Sequence, residues 1–240
     1  MKTWTYRVLV ASLTAGMAAA QSSGNFSATA FDPTCMINSS DGSFRGAGAG
    51  CSVTTLPGAP AGTSATQCNM MSANISTSNG SGVTLVVRPS LVTGLYTDTN
   101  LSSKNQQSSG LTSATADIGI QVCVAVDGTA GNVLPSPCVI YDQRFQQLST
   151  NLFSQISTCA APTNTTGTVN CTLDLLQSTL SAHSFDFVVP VGQGTHTVTS
   201  SWSVFGTTSA TGGTVGACAG PGVITVTQTK VFNNSGLLTY

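Results

Sequence analysis

The chain is 240 residues long, 40% of them hydrophobic and only 6% charged, against roughly 25% charged in an average soluble domain. Its eight acidic residues are all aspartates (Asp32, Asp41, Asp98, Asp117, Asp127, Asp142, Asp174 and Asp186), which excludes any mechanism that needs a glutamate acid or base. Seven lysines and arginines are too few to track a polyanion, so the composition argues against nucleic-acid binding, and the apolar content argues against disorder.

Lys2 and Arg7 open the chain, an uncharged run rich in Val, Leu and Ala fills Val8 to Ala20, and Ala18-Ala19-Ala20 precedes Gln21. This order predicts a secretory signal peptide over residues 1–20. The thirteen-residue apolar run falls short of the ~18 to 20 residues that span a bilayer. Neither a second spanning run nor a hydrophobic C-terminal anchor signal follows, so the expected location is extracellular, without a membrane anchor. Cleavage after Ala20 leaves five basic residues against eight aspartates, a net charge of −3.

Eight cysteines follow the leader: Cys35, Cys51, Cys68, Cys123, Cys138, Cys159, Cys171 and Cys218. An even number in a secreted chain predicts disulfides. A metal site wants C-x-x-C spacing or companion histidines, and the nearest cysteines are twelve residues apart; no cofactor is expected. Two pairs are favoured locally. Cys159 and Cys171 bracket a Pro/Thr/Asn/Gly segment, where closure removes about 3 kcal/mol of unfolded-state entropy. Cys123 and Cys138 lie symmetrically about a turn at Ala130-Gly131. Sequons of the form Asn-x-Ser/Thr occur at Asn25, Asn38, Asn74, Asn79, Asn100, Asn164, Asn170 and Asn233. Attached sugar would supply the hydration that charge does not, with Asn170 the poorest acceptor because Cys171 sits inside its sequon.

Residues 21–82 are rich in Gly, Ser, Ala and Thr and read as an irregular, disulfide-stapled segment packed on a β-sandwich of residues 83–240. From Val83 the text turns to short β-rich runs separated by turn signals. Val83 to Val87 is ended by Arg88-Pro89, and Leu91 to Tyr96 follows. In Asp117 to Val126, Ile118, Ile120, Val122, Val124 and Val126 make one face entirely β-branched. Asp127-Gly128 marks a turn, and Val133 to Tyr141 reads as the partner strand, at an edge because of Pro135 and Pro137. Phe145, Leu148, Leu152, Phe153 and Ile156 fall on one helical stripe, predicting a short helix within Asp142–Ile156 with Asp142 as N-cap; the even spacing of Val139, Tyr141 and Phe145 fits a continued strand instead. Leu173 to Leu180 reads as another helical turn. Ser184 to Phe205 predicts a hairpin about Gly192-Gln193-Gly194, with Phe185, Phe187, Val189, Val191, Val198, Trp202 and Val204 facing the core. Val223 to Phe232 supplies a last strand. The fold class expected is therefore all-β, an antiparallel, jelly-roll-like sandwich with one short helix.

Chemistry-bearing residues are sparse. His183 and His196 are the only histidines; a hairpin would hold them about 20 Å or more apart, so half-buried, hydrogen-bonded imidazoles are expected rather than a metal or relay site. There is no G-x-S-x-G, and Gly46 to Gly50 reads as a loop without a following helix to hold phosphate. Paired aspartates remain open to glycan hydrolysis, with Asp117, Asp174 and Asp186 the first to inspect. Glycan binding through exposed aromatics has Tyr96 and Tyr141 as candidate ligand contacts, since Trp202 belongs to the core. The T-x-T runs Thr195-Thr197-Thr199 and Thr225-Thr227-Thr229 suit solvent faces. These features predict a secreted glycoprotein with a structural or interaction role at the cell surface, wall or extracellular matrix, its partner an extracellular glycan or protein. A carbohydrate-binding module and an aspartate-dependent glycan hydrolase are the alternatives.

Overall fold

A computed structural model describes residues 25–38, 40–42, 44–45, 54–55, 68–78, 83–102, 113–154, 171–208 and 213–230. Twelve strands and one helical turn fall among them: β1 (Phe26–Phe31), β2 (Met36–Ile37), β3 (Phe44–Arg45), β4 (Thr54–Thr55), β5 (Cys68–Thr77), β6 (Val83–Ser102), β7 (Ser113–Val126), β8 (Cys138–Ser149), α1 (Asn151–Ser154), β9 (Thr172–Ser184), β10 (Phe187–Val191), β11 (Gly194–Thr208) and β12 (Gly213–Lys230). The first sheet runs β1-β12-β6-β10, with β9 also on β6 and β4 on β12. The second runs β5-β11-β7-β8, and β2-β3 form a small ribbon. All named pairings are antiparallel, so the all-β sandwich expected from the alternating runs is what forms.

The core is the contact between the two inner faces. Leu85, Val87, Leu91 and Leu95 of β6 meet Ile118, Ile120, Val122 and Val124 of β7 and Val198, Trp202 and Val204 of β11. The alternation in β7 therefore does what it predicts: one face goes wholly inward. Asp127 (φ 53°) and Gly128 (φ 75°) make a two-residue turn in which Val126 and Thr129 exchange backbone hydrogen bonds at 2.9 Å, the positive-φ geometry that an Asp-Gly pair favours. The chain then leaves the second sheet, since Leu134 bridges Val188 of β10. It returns at Cys138, so the partner strand starts there rather than at Val133. β8 does lie at an edge, with Pro135 and Pro137 in the segment before it rather than within the strand.

Four expectations are corrected. Residues 142–149 continue β8, and helix is confined to Asn151–Ser154. The apolar positions fit both periods, and the tie is broken by Asp142, Arg144 and Gln146, whose side chains turn toward β6 and β9. Leu173 to Leu180 lies within strand β9. The Ser184–Phe205 hairpin does not form: β10 pairs with β6, whereas β11 pairs with β5 and β7 in the other sheet. Gly192-Gln193 is thus a crossing between layers, and both strands still turn Phe187, Val189, Val198, Trp202 and Val204 to the shared core. Phe185, in the link between β9 and β10, is 38% exposed. Finally, among the described residues of segment 21–82, Phe26–Phe31 is strand β1 of the first sheet and Cys68–Thr77 is strand β5 of the second, where the composition predicts an irregular segment.

β6 also runs unbroken through Arg88-Pro89. Its partners give way instead: β10 pairs as far as Val87 and β9 starts at Ser90, so the residue that lacks an N–H sits opposite the gap. Asp186, in that gap, takes two hydrogen bonds from Arg88, at 2.5 and 2.6 Å. The open edges of the sandwich are closed by side chains. On one side Asn25 Nδ2 donates to Ser76 O of β5 and, at 3.1 Å, to Gln228 Oε1 of β12. On the other, Arg144 of β8 donates to Gln177 O at 2.9 Å and Gln146 to Leu175 O at 3.1 Å, capping carbonyls of β9.

Gly206 in β11 has φ 145°, and a Cβ there would stand 2.0 Å from Asp117 O. Gly131 has open space around it. Gly206→Ala is expected to cost upward of about 3 kcal/mol through combined backbone strain and overlap, whereas Gly131→Ala stays within about 0.5 kcal/mol of the parent. Denaturant unfolding of the two variants checks the contrast, and equal midpoints would contradict it.

Candidate functional site

Among the cysteines, Cys123–Cys138 pairs as expected, joining β7 to β8 with Cα atoms 4.0 Å apart. Cys35–Cys218 ties the segment before β2 to β12, with 5.6 Å between Cα atoms across 183 residues of chain. Its sulfurs lie against Gly94, where any Cβ would collide with both. Cys171 is also disulfide-bonded. Cys51, Cys159 and the side chain of Cys68 fall outside the described residues, as do Asn79, Asn164, Asn170 and Asn233, so the Cys159–Cys171 expectation lies outside them too. Asn25, Asn38, Asn74 and Asn100 are described, on β1's leading edge, in the turn after β2, and on β5 and β6.

Three polar clusters gather the titratable groups. At one end of the sandwich, buried His196 directs Nδ1 to Asp127 Oδ2 at 2.8 Å and Nε2 to Gly192 O at 3.0 Å. Both ring nitrogens face acceptors, so the doubly protonated ring is the form that satisfies both. The Asp127 bond accordingly raises the His196 pKa. The same bond, with one from Thr197 N, holds Asp127 below the usual carboxylate range. The cluster latches the crossing at Gly192 to the turn at Asp127.

Along the β8–β9 seam, Asp142 Oδ2 accepts a bond from Thr93 Oγ1 at 3.2 Å and lies 3.7 Å from His183 Nε2. A bulge opposite Ile120/Gln121 turns Tyr141 inward beside Asp142. Tyr141 is buried and donates to Pro89 O at 2.8 Å; burial raises its pKa. It therefore packs into the core with its hydroxyl taken up by a backbone carbonyl. His183 and His196 stand on different sheets with different partners.

The third cluster lies on the outer face of the first sheet, beneath the β2–β3 ribbon. Tyr96 packs edge-on against Phe44, ring centres 6.4 Å apart, and donates to Asp98 Oδ2 at 3.4 Å. Burial, then Asp98, pushes its pKa up to about 12. Asp98 is in hydrogen-bond contact with Asp174; burial first, and that contact second, raise its pKa. Of the three aspartates singled out from sequence, only Asp174 meets another carboxyl, and its partner Asp98 had no pattern to mark it. The contact is closer than the ~5 Å or more between the working carboxyls of glycosidases. Asp117 accepts a bond from Gln143 Nε2 at 3.2 Å, and Asp186 is held by Arg88, which lowers its pKa.

A shallow groove of about 470 Å³ crosses the first sheet at the β12 bulge, lined by Ser90, Val92, His183, Ser184, Pro221 and Val223 among others. The outer face of the second sheet carries different groups along its length. At one end Thr195 bonds to Ser76 at 3.1 Å and Thr197 to Asn74 at 2.9 Å, so these threonines bond within their own sheet. Further along the strands Ile140 (54% exposed), two residues from the Cys123–Cys138 bridge, and Phe145 (64% exposed), opposite Asp117, stand free of the core. Phe205 lies across Gly119, where a Cβ would meet its ring at 2.3 Å. The helical stripe groups Phe145 with Leu148 and Phe153, whereas in the strand Phe145 points outward.

No protein-family model matches the chain, and no curated protein or solved structure matches it.

The His196 and Asp98 clusters both lose stability as pH rises, but for different reasons. A raised His196 pKa contributes stability that is fully present below the unfolded-state value near 6.5 and is lost as pH rises through the folded-state value. A raised Asp98 pKa means that the folded state holds the proton more tightly, so stability gained at low pH is lost as the carboxyl ionises. His196→Gln should therefore lower the unfolding midpoint most at pH 5 to 6 and least at pH 9. Asp98→Asn should raise it at pH 7 to 8 and leave it unchanged near pH 4. Urea midpoints measured across that range test both signs.

Proposed function

We propose that the protein is a secreted glycoprotein that acts by binding at the cell surface, wall or extracellular matrix, rather than by turning over a substrate. The observation that carries this reading is the outer face of β8. Two large apolar side chains stand in water there, Ile140 two residues from the Cys123–Cys138 bridge and Phe145 further along the same strand, opposite Asp117. Exposed apolar groups on one face of a paired strand are what interaction sites are built from. The leader-like start, the sequons and the paired cysteines support the extracellular setting. The low charge of the chain supports a neutral partner over a polyanionic one. Each polar cluster is already occupied in holding strands or turns together, which supports a binding role over a catalytic one.

A carbohydrate ligand is the second reading, favoured by one arrangement. Phe145 offers a stacking face, and Gln143, hydrogen-bonded to Asp117 on the neighbouring strand, places amide and carboxylate groups beside it.

The double variant Phe145→Ala/Ile140→Ala removes side chains that the core does not use, so its melting temperature should stay near that of the parent. Retention on insoluble wall or matrix material is expected to fall about tenfold, which corresponds to ~1.4 kcal/mol. Retention unchanged in the variant, or absent in the parent, overturns the proposal. Competition by soluble oligosaccharides separates a glycan partner from a protein one.

A further inference from the structure

Resting on the secretory reading above, the structure sorts the sequons: we propose that Asn38, Asn74 and Asn100 carry N-linked sugar and that Asn25 does not. Exposure alone would not separate them, since Asn25 is exposed, as are Asn74 and Asn100, while Asn38 is half-buried. The hydrogen-bond inventory of each side-chain amide does.

Glycan transfer consumes one proton of the amide nitrogen. The co-reactant is an oligosaccharide activated as a lipid-linked pyrophosphate. The bond from Nδ2 to the sugar C1 forms as the C1–O bond to pyrophosphate breaks. The lipid pyrophosphate leaves with the electron pair, and Nδ2 gives up one of its two protons to a base on the transferase. The modified side chain keeps its carbonyl oxygen as an acceptor but retains a single N–H. A sequon whose Oδ1 is engaged therefore tolerates the change, and one that needs both N–H donors does not.

Asn25 needs both. Its Nδ2 donates to Ser76 O and, at 3.1 Å, to Gln228 Oε1, and its backbone carbonyl accepts from Gln228 N at 2.8 Å. Gln228 is 3% exposed, so its Oε1 would lose a donor without gaining water, a loss that costs on the scale of a buried unsatisfied group. Sugar at this atom would also stand between β5 and β12, at the edge where Asn25 joins the two sheets.

The other three are arranged the opposite way. Asn38 uses Oδ1, accepting from Ser40 Oγ at 2.9 Å and Ser40 N at 3.3 Å, so the sequon's own hydroxyl is already turned to the amide. Asn74 likewise uses Oδ1, accepting from Thr197 Oγ1 at 2.9 Å on the outer face of β5. Asn100 shares the outward parity of Tyr96 and Asp98 on β6, near its end. Among the described residues no hydrogen bond from Nδ2 occupies any of these three.

The test is site occupancy on the full chain secreted from a eukaryotic host that N-glycosylates. Peptides are released from sugar enzymatically in ¹⁸O-water, so that each formerly glycosylated asparagine becomes a labelled aspartate. Label is expected in the majority of Asn38, Asn74 and Asn100 peptides and at background for Asn25. In parallel, Ser40→Ala, Ser76→Ala and Ser102→Ala should each shift gel mobility by one glycan, and Ser27→Ala, which destroys the Asn25 sequon without touching its amide, should shift nothing. Label on Asn25, or its absence from any one of the other three while others carry it, overturns the assignment. A chain secreted with no label at any sequon overturns the glycoprotein reading itself, and a chain that is not secreted overturns the extracellular one.

Discussion

Everything in this molecule depends on two sheets burying one face each against the other. Trp202, Phe187, Ile118, Ile120 and Leu85, each less than 2% exposed or nearly so, belong to that single interface. At about 25 cal/mol per Å² of apolar surface removed from water, it is the term large enough to oppose the chain entropy of so many strands. It also dictates the rest. Strands must alternate in side-chain character, chain crossings must pass from layer to layer, and the two long edges where the layers meet must be sealed without apolar bulk.

The edges show how the sealing is done. Asn25 reaches from β1 to both β5 and β12, and Arg144 and Gln146 reach from β8 to carbonyls of β9. A guanidinium and amides can satisfy strand-edge carbonyls that would otherwise be left open to another chain. Burial lowers the Arg144 pKa, yet the group keeps several acceptors around it, which is the condition for holding charge in a partly dry place. The seam is therefore polar on purpose of geometry: it spans layers that strand pairing cannot join.

Much of this was legible from sequence, and the failures have one cause. Alternation in Ile118 to Val126 names the inward face of β7 because side-chain direction is a local property of the strand. Hydrogen-bond partnership is not local. Phe187 and Val189 would face the core either in a hairpin with β11 or, as they do, from the opposite sheet, so the pattern could not choose between them. In residues 142–149 the inward positions are Asp142, Arg144 and Gln146 and an outward one is Phe145, which inverts the usual burial and makes a helical stripe look better than a strand. The contact of Asp98 with Asp174 follows from β6–β9 register, which places Asn100 opposite Asp174, and no spacing in a single sequence encodes register.

The scarcity of charge reads differently once its placement is known. Arg88 and Asp186 meet across the gap in the β9–β10 edge, His196 and Asp127 latch a crossing to a turn, and Asp142 and Arg144 work along the seam. Arg88, Asp186, His196 and Asp127 sit where regular strand pairing stops, Asp142 sits beside a bulge, and Arg144 reaches out from an edge strand. Elsewhere β-branched residues fill the inner faces, and Ser and Thr bond within the outer ones. A chain that confines ion pairs to its irregular points has little charge left to spread over its surface. Its outer faces must then be hydrated by hydroxyls and amides, the Thr195–Asn74 array among them. That leaves the outer face of β8, with Phe145 and Ile140 exposed, as the place where water is poorly served, and where a partner would gain most by replacing it.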